Sequence, residues 1–226
     1  MKRLPIVLMG LCWALSVGAI PMADIKSPNL EPPRLGKPYP PLMAPVGGDK
    51  LLSHLCPVRA SVQLPEEGEW SMLTDGEKEQ GDTTLVKFAT GLQWVQVDLR
   101  TSQVINGINI WRFCPMPGAF RDVIVQLSDD GDFIDGVTTV FNNDHDNSAG
   151  LGAGEDKEYI ETNQGRPIPV PGVRARYVRV YSNGRYLPGG SLDPFNYCTE
   201  IEVYGGEATS EEKVQIKILY PKPPFT

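Results

Sequence analysis

Six turn signals divide the chain: Asp75-Gly76, Asn106-Gly107, Asp130-Gly131, Asp135-Gly136, Asn183-Gly184 and Pro188-Gly189-Gly190. Asn, Asp and Gly tolerate the positive φ that tight hairpin turns require, so such pairs mark reversals of direction. Between them the apolar residues recur at every second position. Residues 93–99 put Val95, Val97 and Leu99 on one face and Trp94, Gln96 and Asp98 on the other. Residues 122–128 do the same with Val123, Val125 and Leu127, residues 174–182 with Val178 and Val180, and residues 197–204 with Ile201 and Val203. Residues 104–113 are β-branched and aromatic. A period of two is the signature of strands with one buried face, and no segment sustains the 3.6-residue period of a helix. The pattern predicts an all-β fold, a β-sandwich of the jelly-roll kind. The chain has 226 residues, 41% of them hydrophobic, which is enough for one domain with a real core.

The two ends read differently. Residues 1–19 open with the basic pair Lys2 and Arg3, continue through an apolar run and close on Val17-Gly18-Ala19. That is the layout of a cleavable export signal, with cleavage expected after Ala19. The run falls short of the ~20 residues that span a bilayer. Residues 20–50 carry eight prolines and no apolar period, so they read as an extended, semi-rigid spacer ending at Gly47-Gly48. The domain is expected over 51–206. Residues 207–226 add a charged turn, a strand at 214–219 and a Pro-rich tail.

Charge and cysteines narrow the partners. Loss of Lys2 and Arg3 with the signal takes the formal charge from −7 to −9. Nucleic acid and anionic lipid membranes are poor partners for so acidic a chain. After the signal is removed, Cys56, Cys114 and Cys198 remain, so at most one internal disulfide forms. Cys56–Cys198 is favoured, because strands from the two chain ends lie side by side in closed sandwiches, and Cys114–Cys198 is the alternative. The spacings are not those of a cysteine-only metal site.

Two loops are rich in hard oxygen donors. The first follows Leu73-Thr74-Asp75-Gly76 and runs to Asp82-Thr83-Thr84, and by itself it reads as a solvated turn rather than a metal site. The second is 141–156. Counted from Asp144, positions 1, 3, 5 and 12 are Asp144, Asp146, Ser148 and Glu155, the ligand spacing of a calcium loop. Position 6 is Ala149 where such a loop needs Gly, and no helices flank it. The alternatives are a plain surface loop or one that binds sugar, since Asn amides, Asp carboxylates and a His offer both donors and acceptors to hydroxyls.

The early Asp-Gly loop, the 93–99 segment QWVQVDL, the 176–181 segment RYVRVY and the late segment CTEIEVYG at 198–205 occur in an order that resembles the discoidin (coagulation-factor C-type) domain. That family includes the carbohydrate-binding modules of family 32. The resemblance covers about residues 51–206 and implies a galactose-binding-like jelly roll. It also implies a structural calcium between the early loop and the late strand, held by Asp75, Glu200 and the Thr199 carbonyl, with Asp82 and Thr84 as further candidates. Sugar sites of the family lie on loops at one end of the sandwich. Those loops vary too much for residue-by-residue transfer, so the candidates come from the residues themselves. Phe120 and Tyr186 are aromatics near turn signals, Arg121 flanks the Pro-rich turn at 115–118, and Asn143, Asp144 and His145 lie in the polar 141–156 loop.

Other chemistry finds little footing. The chain lacks a nucleophile elbow, a Walker loop and an HExxH motif, and His54 and His145 are its only histidines. The expectation is therefore an exported, non-catalytic module that binds a glycan or polysaccharide with a structural calcium. Its alternative is a protein-interaction module of a surface or envelope assembly.

Overall fold

The computed structural model describes residues 24–32, 49–79, 81, 83–112, 116 and 118–206. In chain order the strands are β1 (Lys50–Leu51), β2 (Val58–Ala60), β3 (Val86–Thr90), β4 (Gln93–Trp111), β5 (Ala119–Phe120), β6 (Ile124–Ser128), β7 (Thr138–Asn142), β8 (Arg166–Ser182), β9 (Arg185–Tyr186), β10 (Leu192–Asp193), β11 (Phe195–Cys198) and β12 (Glu200–Gly205). One 3-10 helix, Trp70–Thr74, lies between β2 and β3. The main sheet runs β1-β12-β4-β8-β6-β7, with β2 paired to β4, and every pairing is antiparallel. Two small sheets, β11-β3 and β10-β9-β5, complete the sandwich.

The alternating residues do what their period requires. Val95, Val97, Leu99, Val123, Val125, Leu127, Val178, Val180, Ile201 and Val203 are all buried in one continuous core. The opposite face is less exposed than a half-buried strand implies. Gln96 and Arg179 are buried there, with the Arg179 guanidinium sandwiched 4.2 Å from the Trp94 ring and 4.0 Å from that of Phe133. Arg179 also donates to Gln96 Oε1 at 2.6 Å and to the Gly131 carbonyl at 3.2 Å, which folds the 129–136 loop onto the sheet. A buried guanidinium is tolerated when its donors are matched in this way.

Three local expectations change. Asn106-Gly107 is not a turn. It lies inside β4, where the register shifts against β8 between Ile105 and Gly107 and against β12 between Tyr204 and Gly205. This is a bulge, and it brings backbones into close approach: a Cβ on Gly205 would sit 1.9 Å from the Val104 carbonyl oxygen. The late segment 197–204 is two strands. β11 pairs with β3 and β12 with β4, and the chain changes sheet at Thr199, whose N–H donates to the Trp111 carbonyl at 2.8 Å.

The disulfide is the third correction. Cys56 and Cys198 are both buried free thiols. The chain ends do meet, as β1 against β12, but each sulfur turns to its own partner. Cys198 Sγ lies 3.3 Å from the Trp111 carbonyl, and Cys56 Sγ lies 3.2 Å from the Leu52 carbonyl. Burial pushes the Cys198 thiol up to about 12, the state of an inert core residue. Cys114, the signal segment and residues 207–226 lie outside the described residues.

The Pro-rich stretch is described at 24–32 and 49–50. Residues 24–32 are not a free spacer: Ile25 bridges Pro188, Leu30 bridges Glu158, and Ile25 and Asn29 are buried.

Candidate functional site

Two regions hold the residues singled out above. One is the loop end formed by β5, the 142–158 loop and the turn at 183–184 before β9. The other is the junction of the Asp75-Gly76 turn with β12.

At the loop end, depth separates the candidates. Phe120 is fully buried. Its ring meets Tyr197 edge-on at 6.5 Å and lies 4.8 Å from the Arg112 guanidinium, so it is core and not a stacking platform. Asn143 is fully buried as well. Its Oδ1 accepts from the Val123 N–H at 2.6 Å and its amide donates to the Phe120 carbonyl at 3.4 Å. Asp144 is buried, with its carboxylate accepting from the Ser148 N–H at 3.0 Å and the Ala149 N–H at 2.9 Å. These three shape the loops rather than face a ligand. Sequence spacing gives their type but not their depth.

Arg121, His145 and Tyr186 remain at the surface. The Arg121 guanidinium lies 5.4 Å from the Tyr186 ring centroid and 3.8 Å from the Asp122 carboxylate. Tyr186 is half-buried and His145 exposed. Asp122, which sequence reasoning passed over, sits at φ +49° and accepts from the Asn183 amide at 2.7 Å. Its carboxylate comes within 4.8 Å of those of Asp144 and Asp146. Thus Asp122 takes the place beside Asp144 and Asp146 that the calcium-loop spacing gave to Glu155, which is exposed. Glu158 is the second residue missed. It is buried, it is bonded by the Ser27 hydroxyl, and burial raises its carboxyl above the usual range, with Asp122 adding repulsion.

Trp70 is a packing residue. It meets the Phe88 ring at 5.6 Å and donates its indole N–H to the Gln63 carbonyl at 3.1 Å. Trp111 is buried, and Trp94 stacks on Arg179.

At the second region the 3-10 helix ends on Asp75, and Gly76 follows at φ +91°. Asp75 Oδ1 accepts from the Glu77 N–H at 2.9 Å. The Gly76 N–H donates to Glu200 Oε2 at 3.2 Å, so the turn and β12 meet as the sequence resemblance implies. Glu200 is buried, and its Oε1 has no hydrogen-bond partner. Burial is the main force that pushes its carboxyl up to about 8, and the charges of Glu202 and Asp75 add to it. Glu202 differs: Lys78 pairs with it at 2.7 Å and Tyr204 donates its hydroxyl to it. Thr199 is buried beside Glu200. Thr84 turns instead into its own loop, where its hydroxyl donates to the Gly81 carbonyl at 3.2 Å. Asp82 lies outside the described residues.

Among the described residues no helix is long and apolar enough to cross a membrane. No protein-family model and no curated protein sequence matches the chain. Solved structures similar to it include carbohydrate-binding modules. The CBM32 of AlyQ, in complex with 4,5-unsaturated mannuronic acid, is 16% identical over 65% of this chain and 92% of that one, with a TM-score of 0.46. Chitosan-binding module 1 of a chitosanase/glucanase from Paenibacillus sp. IK-5 is 25% identical over 69% of this chain and 99% of that one, with a TM-score of 0.46. CpGH89CBM32-4 from Clostridium perfringens, in complex with GlcNAc-alpha-1,4-galactose, is 18% identical over 70% of this chain and 96% of that one, with a TM-score of 0.48.

Proposed function

We propose that this is an exported glycan-binding module that receives its ligand at the loop end and is tied together by one calcium ion at the Asp75–Glu200 junction. The observation that carries the ligand site is the half-buried Tyr186 ring under the Arg121 guanidinium, with exposed His145 and Asp146 nearby. A sugar ring needs an apolar face to lie on and both donors and acceptors for its hydroxyls. Arg121 supplies donors, Asp146 an acceptor, His145 either, and Tyr186 the ring. Contacts of this kind are weak singly, and a repeated polymer compensates by avidity. The reading is one of binding, and it assigns no bond-breaking step to any residue.

The residues at Asp75 and Glu200 fit a calcium ion by the chemistry of what they leave unsatisfied. Glu200 Oε1 is buried without a partner, and a second carboxylate lies beside it. Asp75, Glu200 and the Thr199 carbonyl would hold the ion, which would add positive charge beyond that of Lys78, already paired with Glu202. Its part is to pin the Asp75-Gly76 turn to β12, not to touch sugar.

The test is a panel of neutral, aminated and uronic-acid oligosaccharides presented at high density to the calcium-loaded protein. Binding to one class, lost by about fivefold or more in Tyr186→Ala and Arg121→Ala, is the expected result, since one stacking contact supplies about 1 kcal/mol. A folded protein that retains nothing from the panel overturns the reading and turns attention to a protein partner.

A further inference from the structure

We infer that residues 24–32, which read from sequence as part of a spacer, are a clasp that positions the loop end for its ligand. The inference rests on the reading of that end as the binding site. The clasp spans two loops that β5 links at their bases, where Ala119 pairs with Tyr186 and bridges Ile160, and it ties them further out. On one side Ile25 bridges Pro188, and the Gly189 N–H donates to the Asp24 carbonyl at 3.2 Å. On the other side the segment runs along Glu158. The Glu158 N–H donates to the Asn29 carbonyl at 3.1 Å, the Glu31 N–H donates to the Glu158 carbonyl at 2.8 Å, and Glu31 pairs with Arg166 at 3.0 Å.

Asn29 is the centre of the clasp. Its amide donates to the Asn143 carbonyl at 3.1 Å and to the Asp156 carbonyl at 2.9 Å, and its Oδ1 accepts from Lys157 Nζ at 2.8 Å. One buried side chain therefore ties the start of the 142–158 loop to its end. That loop carries His145 and Asp146, and the Pro188 turn follows directly on Tyr186. The clasp also reaches inward, because the Ser27 hydroxyl bonds the Glu158 carboxylate, which feels the charges of Asp122, Arg121 and His145. A mere spacer would leave its amides and carbonyls to water. Here backbone and side chain are matched to partners on both loops, as in an element of the fold.

Asn29→Ala and Ile25→Asp, each in the full chain, test this by amide hydrogen exchange. The informative amides are those of Ala149, Gly154 and Asp156, which bond to Asp144 and Asn142 and not to the clasp. They are expected to exchange about tenfold faster in both variants, while Val95 in β4 and Val180 in β8 keep their protection. A synthetic peptide of residues 24–32, added at millimolar concentration, should restore part of that protection. Affinity for whichever panel oligosaccharide the unaltered protein binds should fall by about fivefold or more.

Unchanged loop amides overturn the clasp, whatever the protein binds. Exchange that speeds up equally at Val95 and Val180 also overturns it, because the segment is then a part of global stability. A rise in affinity overturns it too, since the segment would then compete with the ligand. If the unaltered protein binds nothing on the panel, the exchange experiment still decides the clasp and only the glycan reading falls.

Discussion

The carboxylates of Glu200 and Asp144 are both buried, both stand in loops or strand starts that read as calcium sites, and they are satisfied in opposite ways. Asp144 receives N–H groups from Ser148 and Ala149 and the Ser148 hydroxyl at 3.3 Å, so its charge is met by its own loop. Glu200 receives one N–H, from Gly76, and keeps one buried oxygen without a partner beside Asp75 and Glu202. A buried anion is costly unless it is matched. The first has its hydrogen bonds in place, with the carboxylates of Asp122 and Asp146 within 4.8 Å of it. The second leaves an oxygen unmatched, and burial, which raises the carboxyl to about 8, lets either a proton or the proposed cation meet it.

The largest effect expected from this contrast is on calcium-dependent stability. Free calcium at about a hundred times its Kd adds roughly 2.7 kcal/mol, which is a rise in Tm of about 5 °C or more for a domain of this size. Scanning calorimetry with chelator and then with calcium measures it. Glu200→Gln should abolish the rise, and without calcium near neutral pH it should be about as stable as the unaltered protein, because burial raises the Glu200 carboxyl to about 8 and the amide replaces a mostly neutral acid. A calcium response that survives Glu200→Gln breaks the comparison at its stronger end.

A third buried carboxylate sharpens it. Glu161 is fully buried, 3.7 Å from Arg112 Nε, and burial outweighs the guanidinium's attraction and pushes it up to about 7. Unfolded, the same carboxyl titrates near its ordinary value of 4.5. Between those two values the native state holds the extra proton, so stability falls as pH rises from about 4.5 to 7 and then levels. The loss is about 3 kcal/mol over the whole window, of which about 2 kcal/mol falls between pH 5.5 and 8. Denaturant melts at pH 5.5 and 8 in Glu200→Gln, which removes the carboxyl that burial raises to about 8, should show it, and adding Glu161→Gln should flatten it. Unlike the Glu200 effect, it should not respond to calcium, because Glu161 is not among the residues proposed to hold the ion.

The same contrast shows how far residue types carry. Period-two alternation at Val95, Val97 and Leu99 identifies a strand and its core face, because one-sided burial is the cause of the alternation. The pairing of an early Asp-Gly turn with Glu200 is also legible. Depth is not: nothing in the local pattern separates buried Phe120 and Asn143 from surface-exposed His145. Asn106-Gly107 has the composition of a turn, but whether the chain reverses there depends on β8 and β12 continuing past it. Prolines in 20–50 fix φ and remove donors, yet they do not say whether the remaining carbonyls and side chains find partners, and those of Asn29 do.

The smallest effect belongs to Asp144, and it is the one that could invert the argument. Asp144→Asn keeps the shape of the side chain but replaces one accepting oxygen by a donor facing an N–H. Losing that match is expected to cost about 1–3 kcal/mol. The calcium-dependent rise in Tm should remain as large as in the unaltered protein, because the 144–155 loop holds its carboxylate without a cation. Asp146 tests the same point from the surface. Its carboxyl is held below the usual range first by hydrogen bonds from Ser148, so Asp146→Asn should also leave the calcium response intact while weakening any sugar contact. A calcium response lost in Asp144→Asn and kept in Glu200→Gln would place the ion among Asp122, Asp144 and Asp146. It would mean that an unmatched oxygen is the wrong criterion in this fold and that carboxylate clustering is the right one.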